Sequence, residues 1–233
     1  MLTSVVKTDL IHLFEKNSSQ VHPFSTLTLD VVSLKDQLEN VDYIVFLPRI
    51  PMWSERLSDL INADYQSLSN VLNIALQSRV KKMVSVSDVE AMGSSLRPAV
   101  VNEDSLWSGQ TKANEVQKYW YLCEQEIARA REEGLNANII AASQMPVLKT
   151  EEKIQYYATD RNQLAKSLIG VLLSDFSAFK IFCVEALDSS AVKKEESTTS
   201  LFGKWFGHKR KPINKLTIDA TNSKAIIDAF INQ

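Results

Sequence analysis

The feature that most constrains this chain is an alternation. Short runs of large apolar residues are separated by longer segments whose apolar positions recur every three or four residues. Runs of the first kind suit strands buried on both faces, and segments of the second kind suit helices that bury one stripe. Their alternation predicts βαβ units and a parallel sheet covered by helices on both sides. The expected strands are Leu2 to Val6, Ser25 to Leu29, Tyr43 to Leu47, Lys82 to Ser87 and Ala137 to Ala142. A helix is expected over Ser54 to Ser78, where Leu57, Leu60, Ile61, Tyr65, Leu68, Leu72, Ala75 and Leu76 share a face. A second is expected over Lys112 to Glu133, because Ala113, Val116, Trp120, Cys123, Ile127 and Ala130 step by three and four without a break.

Capping signals bracket these segments. Ser33 with Asp36 reads as a capping box opening a short helix, and Asp160 with Gln163 reads as another, ahead of Leu164, Leu168, Val171 and Leu172. Gly134 reads as the stop of the long second helix.

The chain divides into three regions. Residues 1–187 are expected to form a Rossmann-like α/β domain of adequate size for its own core, since 45% of the 233 residues are hydrophobic. Residues 188–212 begin with "DSSAVKKEESTTS", which is too polar to bury and predicts an exposed connection. Residues 213–233 carry an expected strand, Lys215 to Ile218, and a helix from Asn222 to Ile231.

Several function classes are disfavoured. Cys123 and Cys183 sit inside apolar runs without paired spacing, which reads as core packing in a reducing compartment. His12, His22 and His208 are scattered, without Cys or carboxylate neighbours at ligand spacing, so no metal is expected. A net charge of −2 gives no general attraction to nucleic acid or anionic lipid. With no leader pattern and no apolar stretch of the roughly 20 residues that cross a bilayer, a cytoplasmic location is expected.

One segment stands out as a contact surface. "LFGKWFGHKRKP" sets Phe202, Trp205 and Phe206 beside Lys209 and Arg210. Rings with adjacent cations suit a protein partner. They suit a membrane interface as well, where each Lys or Arg contributes about 1 kcal/mol against anionic lipid. The plainer alternative is that the rings tuck back into the domain and the basic run solubilises it.

Segments in order resemble the extended short-chain dehydrogenase/reductases, the NAD(P)-dependent epimerase/dehydratase group. "LTLDVVSLKDQLENVDYIVFLP" is similar to that family's third strand, short helix and fourth strand. "NADYQSLSNVLNIALQSRVKKMVSVSDVEAMG" is similar to its next helix and fifth strand, with Asp64 where the family has Asn and Asn70 in the matching "NVL". "EEGLNANIIAASQM" resembles the sixth strand, and "YYATDRNQLAKSLIGVLLSDFSAFKIFCV" the later region where an Asp opens a helix. The resemblance spans residues 1–187 and implies a dinucleotide fold.

The same comparison exposes departures. The family's GxxGxxG turn lets a pyrophosphate approach the backbone, yet the first glycine of this chain is Gly93. The start of the sequence matches the family's second strand, so the expectation is a shortened fold without the first strand and phosphate loop. Counted back from Gly93, the position of the family's Ser or Thr holds Asp88, an acceptor where a donor is wanted. Tyr119 and Tyr121 are followed four residues later by Cys123 and Gln125, so the acid/base Tyr has no Lys partner. Asp88, Tyr121 and Gln125 are thus the degenerate counterparts of the reaction centre. Asp30, in the segment matching the third strand, and Arg49, just past the fourth, are candidate cofactor contacts. A solvated loop charge is the plainer reading of Arg49.

The leading expectation is a non-catalytic protein without a cofactor, acting as a subunit or regulator through a protein partner or homodimer. The alternative is a reductase or epimerase using NAD or NADP on a nucleotide sugar or similar small molecule, with an atypical site near Asp88, Arg49 and Tyr121. A third is a membrane-associated assembly factor.

Overall fold

The computed structural model describes Pro23 and residues 30–48, 57–78, 80–92, 99–102, 115–142, 148–149, 154–187, 216–218 and 221–231. The elements begin with α1 (Val31–Leu38), β1 (Tyr43–Phe46), α2 (Leu57–Gln77) and β2 (Lys82–Asp88), which runs into a single 3-10 turn at Val89–Met92. After β3 (Ala99–Val101) come α3 (Glu115–Glu132), β4 (Ala137–Ala142), β5 (Leu148–Lys149) and β6 (Ile154–Ala158). The last elements are α4 (Arg161–Leu173), β7 (Lys180–Cys183), β8 (Glu185–Leu187), β9 (Leu216–Ile218) and α5 (Thr221–Ile231).

The main sheet has the order β1-β2-β4-β7, with every pairing parallel. Every residue of β2, β4 and β7 is buried, as strands covered on both faces require. Alternation then divides their side chains between two cores. Ile44, Phe46, Met83, Ala137 and Ile139 meet the stripe of α2 and α3 that carries Leu68, Leu72, Trp120, Cys123 and Ile127. Val84, Val86, Ile140, Ile181 and Cys183 face α4 and Ile227 of α5. A Rossmann-like α/β sheet is therefore present, with the three strands expected in it that fall among the described residues at their places, and the expected C-terminal strand is found as β9. The expected strands at Leu2 to Val6 and Ser25 to Leu29 lie outside the described residues. Two small accessory sheets complete the fold: β3 pairs in parallel with β9, and β6 pairs antiparallel with β5 and β8.

Local signals place the helix ends. Asp160 caps α4, accepting from the Gln163 amide at 2.8 Å. After α3 the Leu135 amide donates to Ala130 O and the Gly134 amide to Arg131 O, both at 3.0 Å, around Gly134 at φ +107°. That is the Schellman arrangement, in which a glycine turns the chain at no steric cost. The start of α1 differs from the expected Ser33–Asp36 box. Its cap is Asp30, whose two carboxylate oxygens accept from the Ser33 amide at 2.9 Å and the Ser33 hydroxyl at 3.0 Å. A carboxylate satisfies an orphan amide and favours the positive end of the helix, so it outcompetes the later serine.

The strand β7 is not among those expected from the apolar runs. At the other end of the chain, α5 packs against α4 and β7, burying Ile227. Its Ser223 hydroxyl accepts from the Phe182 amide at 2.8 Å, satisfying a backbone donor of β7.

Candidate functional site

Parallel α/β sheets take ligands at the C-terminal ends of their strands, where the following helices begin. In this chain Asp88 ends β2 at that edge and is buried, at 5% exposure. Tyr121 of α3 is half-buried and Gln125, one turn later, is exposed. The reaction-centre counterparts are thus split between interior and surface. Asp30 spends its carboxylate on capping α1, and those hydrogen bonds from Ser33 hold it below the usual carboxylate range. Arg49 and the contact candidates Phe202, Trp205, Phe206, Lys209 and Arg210 lie outside the described residues.

Two buried polar clusters occupy the helix face of the sheet near this edge. In the first, the Tyr119 hydroxyl of α3 donates to the Asp64 carboxylate of α2. Burial pushes the phenol far above its ordinary value, and the neighbouring Cys123 and Asp64 add to the rise. A phenol so held keeps its proton well into the alkaline range. Burial likewise drives the Cys123 thiol well above its ordinary value, which favours the protonated form. Cys183 is also buried, so both thiols stand in the core as expected.

The second cluster joins three elements. Ser87 of β2 donates its hydroxyl to Glu124 of α3 at 2.6 Å, and Lys180 of β7 donates to the other Glu124 oxygen at 2.8 Å. The Lys180 ammonium also meets Met92 Sδ at 3.2 Å and lies 5.4 Å from the centre of the Phe182 ring. Neither Glu124 nor Lys180 was singled out in the sequence. The available signal was a charge in an apolar register: Glu124 falls between Trp120 and Ile127 on the buried stripe, and Lys180 heads a strand.

The remaining polar contacts support the frame. At the seam of α2 and α3, Glu126 accepts from Ser69 at 3.0 Å and from Arg129 at 2.8 Å. The Arg129 hydrogen bond is the main reason its carboxyl sits low. At the opposite edge of the sheet, Lys82 donates to Ser174 O and Phe176 O, Asn138 to Ala178 O, and Arg131 to Ser177 O. A cavity of about 410 Å³ lies beside this stitched loop, lined by Ala128, Arg131, Glu132 and Phe179, and so stands away from the ligand edge. Among the described residues, no group of three or more His, Cys, Asp or Glu is placed to hold a metal, and no helix is long and apolar enough to cross a membrane.

No family model and no curated protein sequence matches the chain. Solved structures do. A short-chain dehydrogenase/reductase superfamily protein from Agrobacterium tumefaciens with bound NAD superposes with a TM-score of 0.67 at 12% identity, covering 97% of this chain and 92% of that one. The UDP-glucuronic acid 4-epimerase from Bacillus cereus, in complex with NAD, gives 0.63 at 12% identity, covering 97% and 83%. The reductase domain of the aureusimine biosynthetic cluster gives 0.61 at 10% identity over 82% of this chain, which spans only 64% of that domain. The chain shares the fold of these proteins, a Rossmann-like parallel α/β sheet.

These matches correct the expectation that no cofactor is involved. Structures sharing this fold over 97% of the chain were solved with NAD, so the absence of a familiar glycine turn is no ground for denying the fold its dinucleotide. The fit is incomplete at the nicotinamide end. On α3 the only tyrosines are Tyr119, bound to Asp64, and Tyr121, followed at one turn by Gln125 rather than a lysine.

Proposed function

We propose that this chain is a dinucleotide-dependent protein of the reductase and epimerase kind. It holds NAD or NADP at an atypical site on the C-terminal edge of its sheet and works on a nucleotide sugar or a similar small molecule. The observation that carries this reading is the parallel sheet β1-β2-β4-β7, with Asp88 at its ligand edge, in a fold shared over 97% of the chain with NAD-bound structures.

The test is a titration with NADH and NADPH read by the fluorescence of the four tryptophans, of which Trp120 is buried on α3. Saturable binding at micromolar concentration supports the reading, and no response up to millimolar overturns it. Incubation with a panel of UDP-sugars and NAD, followed by product analysis, then asks for turnover.

A second reading is favoured by a specific observation: no tyrosine of the chain has a lysine four residues later. In this reading the chain binds its ligand without converting it and serves as a subunit or regulator, through a protein partner or a second copy of itself. Binding without turnover of any sugar in the panel distinguishes it, and light scattering coupled to size exclusion reads the second copy.

A further inference from the structure

The Ser87–Glu124–Lys180 cluster bridges more of the fold than any of its members could alone. β4 lies between β2 and β7 in the sheet, so the three side chains span three strands beneath α3. On the strand between them, Ala141 is paired with Ser87 and Ile139 with Lys180. Every member is buried, with side-chain exposures of 4% for Lys180 and 11% for Glu124. One carboxylate faces one ammonium, and the hydroxyl takes the remaining carboxylate oxygen, so charge and hydrogen bonds are matched.

Stability alone gives no reason for such a pair. Desolvating two ions offsets their attraction, and well-packed apolar residues of the same volume usually hold a core as firmly. What the pair adds is position. Ser87 immediately precedes Asp88, and the Lys180 ammonium also touches Met92, the last residue of the turn that follows. The network therefore grips both ends of the segment from Ser87 to Met92, which forms the part of the ligand edge that β2 contributes.

We infer that Ser87, Glu124 and Lys180 form a positioning network that sets the end of β2 and the Val89–Met92 turn for the ligand. The inference rests on the proposed function for the identity of that ligand. None of the three is assigned contact with it.

Two readouts test the network in the double variant Glu124→Met with Lys180→Met, which removes both charges without leaving one unpaired. The first needs no ligand: amide hydrogen exchange of a peptide covering Ser87 to Met92, compared with the core of β4. The network predicts at least tenfold faster exchange at Ser87 to Met92 while β4 is unchanged. Exchange that stays within twofold at both places overturns it, as does uniform acceleration, which would mark a merely structural pair. The second readout is NADH affinity by tryptophan fluorescence, expected to fall at least tenfold although the melting temperature is kept. Retained affinity beside a retained melting temperature overturns the inference. If the wild-type protein binds neither NADH nor NADPH, the proposed function fails, and the exchange arm still decides the network. Should the double variant not fold, Ser87→Ala detaches β2 while leaving the ion pair whole, and the same readouts apply.

Discussion

Tyr119 of α3 gives its phenolic hydrogen to Asp64 of α2, so the two longest described helices are joined by a buried polar contact within their N-terminal halves. Burial holds the phenol protonated far above its ordinary value of 10.0. The folded-state pKa is raised, so this group's contribution is fully present below pH 10 and is lost as the pH climbs beyond it, where the unfolded chain ionises first. An ultraviolet titration of the six tyrosines should therefore fall short of full ionisation until the protein unfolds. Tyr119→Phe removes the donor to a buried carboxylate and should cost about 1–3 kcal/mol in urea denaturation. It should also flatten the alkaline fall.

The ion pair of Glu124 and Lys180 should behave unequally in single and double variants. Lys180→Met strands a buried carboxylate, for which the expected loss is about 3–5 kcal/mol. Adding Glu124→Met should recover most of it. Urea midpoints of the wild type, both single variants and the double variant measure the difference, and an additive pair of losses would refute the coupling.

Lys81 and Lys82 are neighbours with opposite responses to alkali. Lys82 is buried at the start of β2 and its pKa is lowered by desolvation, so just below pH 10.5 it sheds its proton in the folded state first. Its contribution to stability therefore rises with pH through that window. Lys81 is exposed, and its pKa is raised by hydrogen bonding to Asp42 at 3.0 Å, so its contribution is lost as the pH rises above 10.5. Chemical denaturation between pH 8 and 11 should show Lys82→Met removing that lysine's rise and Lys81→Met removing that lysine's share of the fall, the Tyr119 share remaining.

Gly134 should be costly to replace for a reason confined to the backbone. A Cβ built there meets no atom within 4 Å, but φ is +107°. Gly134→Ala should destabilise by about 1–3 kcal/mol, since side chains other than glycine are strained in that conformation. The melting temperature measures it, and an unchanged value would mean that the chain end of α3 relaxes.

The parts of this protein legible in its sequence are those written locally. Alternating apolar runs and stripes marked β1, β2, β4 and the faces of α2 and α3, because a residue's burial in such elements follows from its position in a short repeat. Asp160 and Gly134 announced their helix ends through contacts no more than five residues away. The candidate site was less legible. Asp88 could be picked out by counting, but the partner of Ser87 is 37 residues further on, and Glu124 and Lys180 are 56 apart. Only packing α3 over the sheet brings those three together, since a buried charge is tolerated where the fold supplies its counterpart and nowhere else. Tertiary structure likewise decided that Tyr119 serves Asp64 instead of a substrate. It also decided that "KIFC" is a strand, for a lysine can lie in a buried sheet once a helix across from it offers a carboxylate.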